Sequence, residues 1–492
     1  MDSGMDAGPA QPRSEVAGDA GRTEPEARPM PPPVIAEPDD RATYIYDQDE
    51  LRTYELLLDP QKLAQIDADP RAEEYVQGML RFEGRDYGPL GIRYKGSVGA
   101  FRGCVTTADP GVKSCTKLSM KVKFNHIDPE GRFYGLKKLQ FHAMNRDPSM
   151  LKERLGYAMF RESGVAAPRA VHARLLINGE FVGLFALIEQ VDGRFTRSRF
   201  DEGGKGNLYK EAWPVDAAGA TTQTQVLLEA LRTNEDEDPS VRGMHDFGRA
   251  IEGAGDGEWA QVLTQHTDLD YTMRYVAVDR VIAHDDGPMR WYCFGASCFN
   301  HNFYWYEEAE ARRLWIVAWD LDGSFNLDNT TTTIWFDWED TSLGCRSLTM
   351  PPFNVPIRPP TCDPLLRSWA GLQRRYLDET QAFLEGPFDA KRVDAKLATW
   401  EEQIAPMVEE AAAAHDDAVS PQAWRTATAD LRETIEILRE RAEARLALGE
   451  LEIGDPWAAQ DEDTGRPDGG HLDREPGAGP EDPRTQRSRM VG

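Results

Sequence analysis

Residues 316–325 read "IVAWDLDGSF": Ile316, Val317, Ala318 and Trp319 run into Asp320-Leu321-Asp322-Gly323. The first four are apolar and fit a buried strand. Two carboxylates one residue apart follow, and at strand spacing both side chains point to one face. Bare carboxylates so close repel each other unless a proton or a cation lies between them. A hard divalent cation held through oxygens and shared with a phosphate resolves that repulsion. The plain alternative is a turn capped by two aspartates, with Gly323 bending the chain.

Working outward, Asp285-Asp286-Gly287 ends an apolar helix running from Tyr275 to Ala283, and His301-Asn302 opens the strand that precedes the quoted stretch. Aspartate, then asparagine, then an aspartate at a strand turn is the order of groups used in kinase phosphoryl transfer. There the first acid orients the acceptor hydroxyl, and the amide and the last acid hold metal ions on the triphosphate. Upstream, a turn bearing Gly96, Gly99 and Gly103 precedes a strand over 117–124. Leu118, Met120, Val122 and Phe124 form one face of it, and Lys117, Ser119, Lys121 and Lys123 the other. Residues 147–164 read as a helix, with Asp147-Pro148 at its start and Gly164 at its end; it carries Glu153. Residues 169–192 read as a hairpin joined at Asn178-Gly179, with its second strand placed like a kinase hinge. In that arrangement the strand lysine grips phosphate and pairs with the helix glutamate.

The chain has 492 residues and a net charge of −28. No basic face stands out, so nucleic acid is not an expected partner. Nine histidines and no CxxC motif argue against a zinc cluster. The six cysteines fall into three local pairs, Cys104/Cys115, Cys293/Cys298 and Cys345/Cys362. Three short-range disulfides and an extracytoplasmic or cell-surface location follow as expectations. No apolar run has the length of a membrane span.

Composition and patterning divide the chain into a Pro/Ala/Glu-rich linker over 1–43, a strand-rich region over 44–215, a region over 216–456 that holds the loops of the aspartate–asparagine–aspartate series and the later helices, and a tail over 457–492. Both ends have the make-up of disordered segments, and a linker of the first kind suits a lipid tether upstream. Residues 226–256 and 268–284 read as helices, and Leu431, Ile435 and Leu438 line one helical face.

The blocks "RYKGSVGAFRG", "KLSMKVKF", "YGLKKLQFHAMNRDPSMLKERLGYAMFRESGVAAPR", "INGEFVGLFALIEQVD", "GNLYK", "HDDG", "HNFYWY" and "WIVAWDLDGSF" occur in this order. With the later "GPFDAKRVDAKLATWEEQIAP" they resemble the CotH family, the spore coat protein H-like atypical kinases, over roughly 45–446. The resemblance implies an α+β, distorted protein-kinase-like fold, with a strand-rich N-lobe and a mainly helical C-lobe. It implies transfer of the ATP γ-phosphate to serine, or threonine, of a protein, with Mg²⁺ or Mn²⁺.

Carried over block by block, Asp286 is the catalytic aspartate, Asn302 a metal-side amide, Asp320 the principal metal aspartate and Asp322 a second one. Glu189 and Gln190 fall at the adenine edge. Lys210 matches a family-typical lysine, Glu153 is the helix acid, and Lys121 is the phosphate-gripping lysine, with Lys117 and Lys123 on its face. Two departures stand out: Lys95 replaces the family's arginine before glycine, and "PMRWYCFGASCF" stretches the spacing from Asp286 to Asn302.

Two other functions compete. "DLDGS" is similar to the first motif of haloacid-dehalogenase-type phosphatases, with Asp320 as nucleophile and Asp322 as general acid. That requires a doubly wound parallel sheet. A catalytically inactive kinase-like domain used for surface binding or assembly is the non-enzyme alternative.

Overall fold

A computed structural model describes residues 40–453, except 97, 201, 235–239, 256, 295–296, 328–337, 342–343, 346–347, 351–354 and 452. Residues 1–39 of the expected linker and the tail over 457–492 lie outside the described residues.

Seven strands close into a barrel in the order β1-β2-β3-β4-β5-β7-β6. They are β1 (Arg52–Leu58), β2 (Val76–Phe82), β3 (Arg85–Tyr94), β4 (Met120–Lys123), β5 (Lys138–His142), β6 (Ala170–Ile177) and β7 (Glu180–Ile188). All neighbours are antiparallel except β1 and β6, whose parallel pairing closes the barrel. Period-two patterning drives this: β2 buries Val76, Gly78, Leu80 and Phe82 and exposes the residues between them. Tyr54, Phe82, Phe133 and Phe141 pack together inside. The β6–β7 turn is Asn178-Gly179, both at positive φ (51° and 85°), as a two-residue hairpin turn requires.

Four short helices accompany the barrel or leave it: α1 (Pro60–Ala68), α2 (Val98–Phe101), α3 (Lys152–Glu162) and α4 (Gly193–Arg199). The described residues after α4 are mainly helical. They hold α5 (Thr224–Glu229), α6 (Arg242–Gly253), α7 (Trp259–His266), α8 (Leu269–Val281), α9 (Pro364–Ala370), α10 (Gln373–Glu385), α11 (Ala390–Ala414) and α12 (Pro421–Leu448). Every residue of α8 from Tyr271 to Val281 is buried, so this helix is the axis of the second half. Leu431, Ile435 and Leu438 form the buried face of α12.

Six further strands and β8 (Asn207–Lys210) form two small sheets. β9 (Trp291–Phe294), β10 (Ser297–Phe299), β13 (Leu348–Met350) and β14 (Val355–Arg358) make one, and β8, β11 (Phe303–Glu307) and β12 (Leu314–Ala318) the other. The architecture is α+β, a strand-built first half and a mainly helical second half.

Several local expectations are corrected. Residues 226–256 are not one helix: α5 ends at Glu229 and α6 begins at Arg242. Helix α3 begins only at Lys152; Asp147 serves its start from outside, accepting from the Lys152 N–H at 2.9 Å and the Ser149 N–H at 3.0 Å. Strand β4 is four residues, so Lys117 lies before it and leaves the face of Lys121; its Nζ donates to the Leu184 carbonyl at 2.9 Å.

The three cysteine pairs close as Cys104–Cys115, Cys293–Cys298 and Cys345–Cys362. Among the described residues, no helix is long and apolar enough to cross a membrane.

Candidate functional site

The floor of the site is one end of the β12-β11-β8 sheet. Phe303 pairs with Ala318 and Tyr304 with Lys210. Asn302, Asp320 and Glu211 therefore all sit just beyond the same sheet end. The sheet is antiparallel throughout, which removes the phosphatase alternative: Asp320 does not end a strand of a parallel, doubly wound sheet.

Strand β12 stops at Ala318, and Asp320 adopts a left-handed conformation (φ 54°, ψ 64°) before a single 3₁₀ turn over Leu321–Gly323. The strand-spacing argument for Asp320 and Asp322 thus fails, because neither lies on a strand. Their charges still meet. Enclosure, and then the carboxylates of Asp320, Glu153 and Asp286, push the Asp322 carboxyl well above its usual range, with Arg146 opposing. Solvent still reaches this side chain, which limits the part enclosure plays. A group of acids that raises its own proton affinity is a fitting donor set for a hard cation.

Helix α3 positions the turn. The Asp320 N–H donates to the Tyr157 hydroxyl at 3.0 Å. A Cβ on Gly156 would come within 3.1 Å of the Leu321 side chain, so only glycine lets the turn lie this close without displacing it.

The loop after α8 brings Asp286. A buried Asp279–His284 contact (Nδ1 to Oδ1, 2.8 Å) and the Arg280 guanidinium on Asp279 and on the His284 carbonyl (3.1 Å) brace it. Asn302, at φ 63°, donates through Nδ2 to the Asp286 carbonyl at 3.0 Å and to its Oδ2 at 3.1 Å. That leaves its amide oxygen available as a ligand. Gly323 abuts Asp286: its Cβ position is 3.6 Å from the Asp286 Cβ. Asp286, Asn302 and the Asp320–Asp322 turn, distant in sequence, thus share one site.

The opposite wall comes from the barrel. Lys95, just past β3, places Nζ 2.6 Å from His142 Nε2, and His142 Nδ1 lies 2.8 Å from Glu153 Oε1. His142, Glu153 and Asp320 offer ligand atoms within 4.8 Å of one another. Burial lowers the Lys95 pKa, against the Asp320 and Glu153 charges. Burial and Asp320 raise that of Glu153, against Lys95. Burial, then Lys95, hold His142 well below its usual value, so it is a neutral bridge. Trp319 backs the group, with Lys95 Nζ 5.8 Å from its ring centre.

Lys95, rather than Lys121, is thus the lysine joined to Glu153. Lys121 lies on the same wall, opposite Arg93 and Gln140, but its nearest charges are mostly cations: burial, then Lys95, Lys138 and Arg93, lower its pKa. Glu153 lies on α3 and reaches Lys95, not Lys121, through His142.

At the exit from β7, Glu189 is not presented to the site. Its carboxylate is clasped by Arg169 (2.7 and 3.1 Å), Arg199 (2.5 Å) and Arg194 (3.2 Å). Although burial opposes it, this clasp holds the Glu189 carboxyl down at about 2. Its stabilisation is thus full above the ordinary carboxylate range and is lost as pH falls through that range towards about 2. The displacement from 4.5 to about 2 is worth about 3 kcal/mol. Glu189→Gln should cost about 3–5 kcal/mol of stability, since it removes the buried carboxylate on which three guanidinium charges converge; urea unfolding at neutral pH reads this directly.

Gln190 is different: its Nε2 donates to the Val191 carbonyl at 3.0 Å, while its Oε1 is buried without a hydrogen-bond partner. Lys210 reaches Glu211 at 3.6 Å, and its charge is felt at Lys95.

Sequence reasoning missed His142, Glu211, His301 and Tyr292. His301 Nδ1 lies 4.0 Å from Glu211 Oε2, and Glu211 accepts from the Asn302 N–H at 3.3 Å. Burial works against the Glu211 carboxylate, yet His301 and Lys210 hold it down at about 2. The usable signals were the "KG" pair at 95–96 and the position of His142 two residues from Gln140 on β5.

A β-rich lobe presenting a buried Lys–His–Glu chain, facing a mainly helical lobe that presents Asp, Asn and Asp, defines the class: a kinase-like protein. The chain belongs to the CotH family: the family model described as CotH kinase protein matches residues 92–448. The chain is 22% identical over 291 residues to the inner spore coat protein H of Bacillus subtilis (strain 168), covering 57% of this chain and 71% of that one. It is also similar to the Helicobacter pylori proinflammatory kinase CtkA, at 10% identity over 67% of this chain and 92% of that one. The TM-score of 0.22 for that pair is too low to carry an argument.

Proposed function

We propose that the chain is an ATP-dependent protein kinase that transfers the γ-phosphate to serine, or threonine, of a protein substrate. The observation that carries this is the gathering of Asp286, Asn302 and Asp320 at one sheet end, facing Lys95. In the reaction, Asp286 accepts the proton of the acceptor hydroxyl, and Asn302 holds that carboxylate in place. Lys95 contacts the phosphates, with His142 and Glu153 fixing its position. The exit of β7 at Gln190 borders the adenine. Asp320, Asn302 and Asp322 would hold Mg²⁺ or Mn²⁺, which neutralises charge on the phosphates when bound. Lys210 and Glu211 close the side of the site next to Asn302.

Three disulfides support an oxidising, extracytoplasmic setting, and the relative's name supports a cell-surface or coat protein as substrate.

Incubation with γ-labelled ATP and Mn²⁺ should label protein serine. Asp320→Ala should lose the Mn²⁺-dependent rise in melting temperature along with the labelling. Equal labelling by Asp320→Ala and wild type would refute the assignment.

A further inference from the structure

Tyr292 lies on β9, inside the stretch that lengthens the spacing from Asp286 to Asn302. Its hydroxyl donates to Asp286 Oδ1 and accepts from Arg290 at 3.1 Å. The other carboxylate oxygen, Oδ2, is taken by Asn302. Asp286 is thus divided between the amide on its metal side and a phenol on the other. If Asp286 is the base, the oxygen facing away from Asn302 is where an acceptor hydroxyl must hydrogen-bond, and a hydroxyl of the chain itself is already there.

The position is built rather than incidental. Tyr292 pairs with Phe299 on β10 and with Ile357 on β14, so its strand is held on both sides. The adjoining Cys293–Cys298 disulfide ties β9 to β10. The Tyr292 ring is flanked by His301, with ring centres 5.4 Å apart, and by Phe299 at 6.3 Å.

We propose that Tyr292 is a phosphorylation site modified in cis by the chain's own active site. This rests on the kinase assignment above. The Tyr292 Oη forms a bond to the γ-phosphorus of ATP while its proton passes to Asp286. The bond from that phosphorus to the β,γ-bridging oxygen breaks, and ADP leaves. The guanidinium of Arg290, which bonds both Oη and the Asp285 carboxylate, faces the new phosphate and can offer it a charge-assisted hydrogen bond. Holding base and acceptor together beforehand gives the intramolecular reaction its advantage.

The test is the full chain incubated with ATP and Mn²⁺ over a range of protein concentrations, with tandem mass spectrometry of the peptide spanning Tyr292 and a serine-rich acceptor protein added in parallel. Phosphotyrosine should form at Tyr292 with a rate constant independent of protein concentration, and should fall by about a hundredfold or more in Asp286→Asn. Serine labelling with Tyr292 unmodified would overturn this inference and leave the kinase assignment standing. Absence of labelling on any residue would overturn both. A rate constant that rises with protein concentration would overturn modification in cis.

Discussion

Asp286→Ala will bind ATP with Mn²⁺ within a few-fold of wild type and will transfer phosphate about 10²–10⁴ times more slowly. The separation follows from where the carboxylate sits. One oxygen is tied to the Asn302 amide at 3.1 Å, and the other faces a hydroxyl. As the proposed base, the residue makes its contribution when a proton leaves the acceptor, whereas the proposed cation ligands are Asp320, Asn302 and Asp322. Because alanine also frees Asn302, Asp286→Asn is the companion variant: it keeps a side-chain oxygen near the amide but is a far weaker base. Both should show the same loss of transfer. Titration calorimetry gives the binding arm and single-turnover labelling the transfer arm. Loss of binding equal to loss of transfer would make Asp286 a metal ligand.

Lys95→Met will reduce transfer by about 10²–10³, and Lys121→Met by less than about tenfold. Lys95 is the cation linked to Glu153 through His142, at 2.6 and 2.8 Å, and its charge is coupled to Asp320. Removing it takes away a fixed positive charge where phosphate negative charge must be met, and leaves Glu153 and Asp320 facing each other. Lys121 has mainly cations around it, so its loss relieves repulsion and breaks no such chain. Equal effects of the two substitutions, measured as kcat/KM for ATP, would return the phosphate role to Lys121.

Much of this arrangement was legible in the sequence. Strands with a strict period of two, such as Val76–Phe82, and the Asn178-Gly179 turn announced themselves, because a half-buried strand and a tight hairpin leave few residue choices. That Asp286, Asn302 and Asp320 come together was readable from their order along the chain, because each directly follows or precedes a recognisable helix or strand. The choice of lysine was not legible. It depends on which way the chain turns after β3 and on His142 of β5 lying between that turn and Glu153 of α3, and neither leaves a periodic trace. Glu189 misled for a similar reason: Arg169, Arg194 and Arg199 converge on it only after β6, β7 and α4 have packed. The two aspartates in "DLDG" look like strand neighbours, yet a left-handed residue at Asp320 converts the spacing into a turn.

The most direct test of the central claim is anomalous diffraction from crystals grown with Mn²⁺ and a non-hydrolysable ATP analogue. A manganese peak bonded to the Asp320 carboxylate and the Asn302 amide oxygen, with analogue phosphate oxygens completing its shell and Lys95 on the phosphates, is the predicted result. Manganese and nucleotide bound away from the end of the β12-β11-β8 sheet would contradict it.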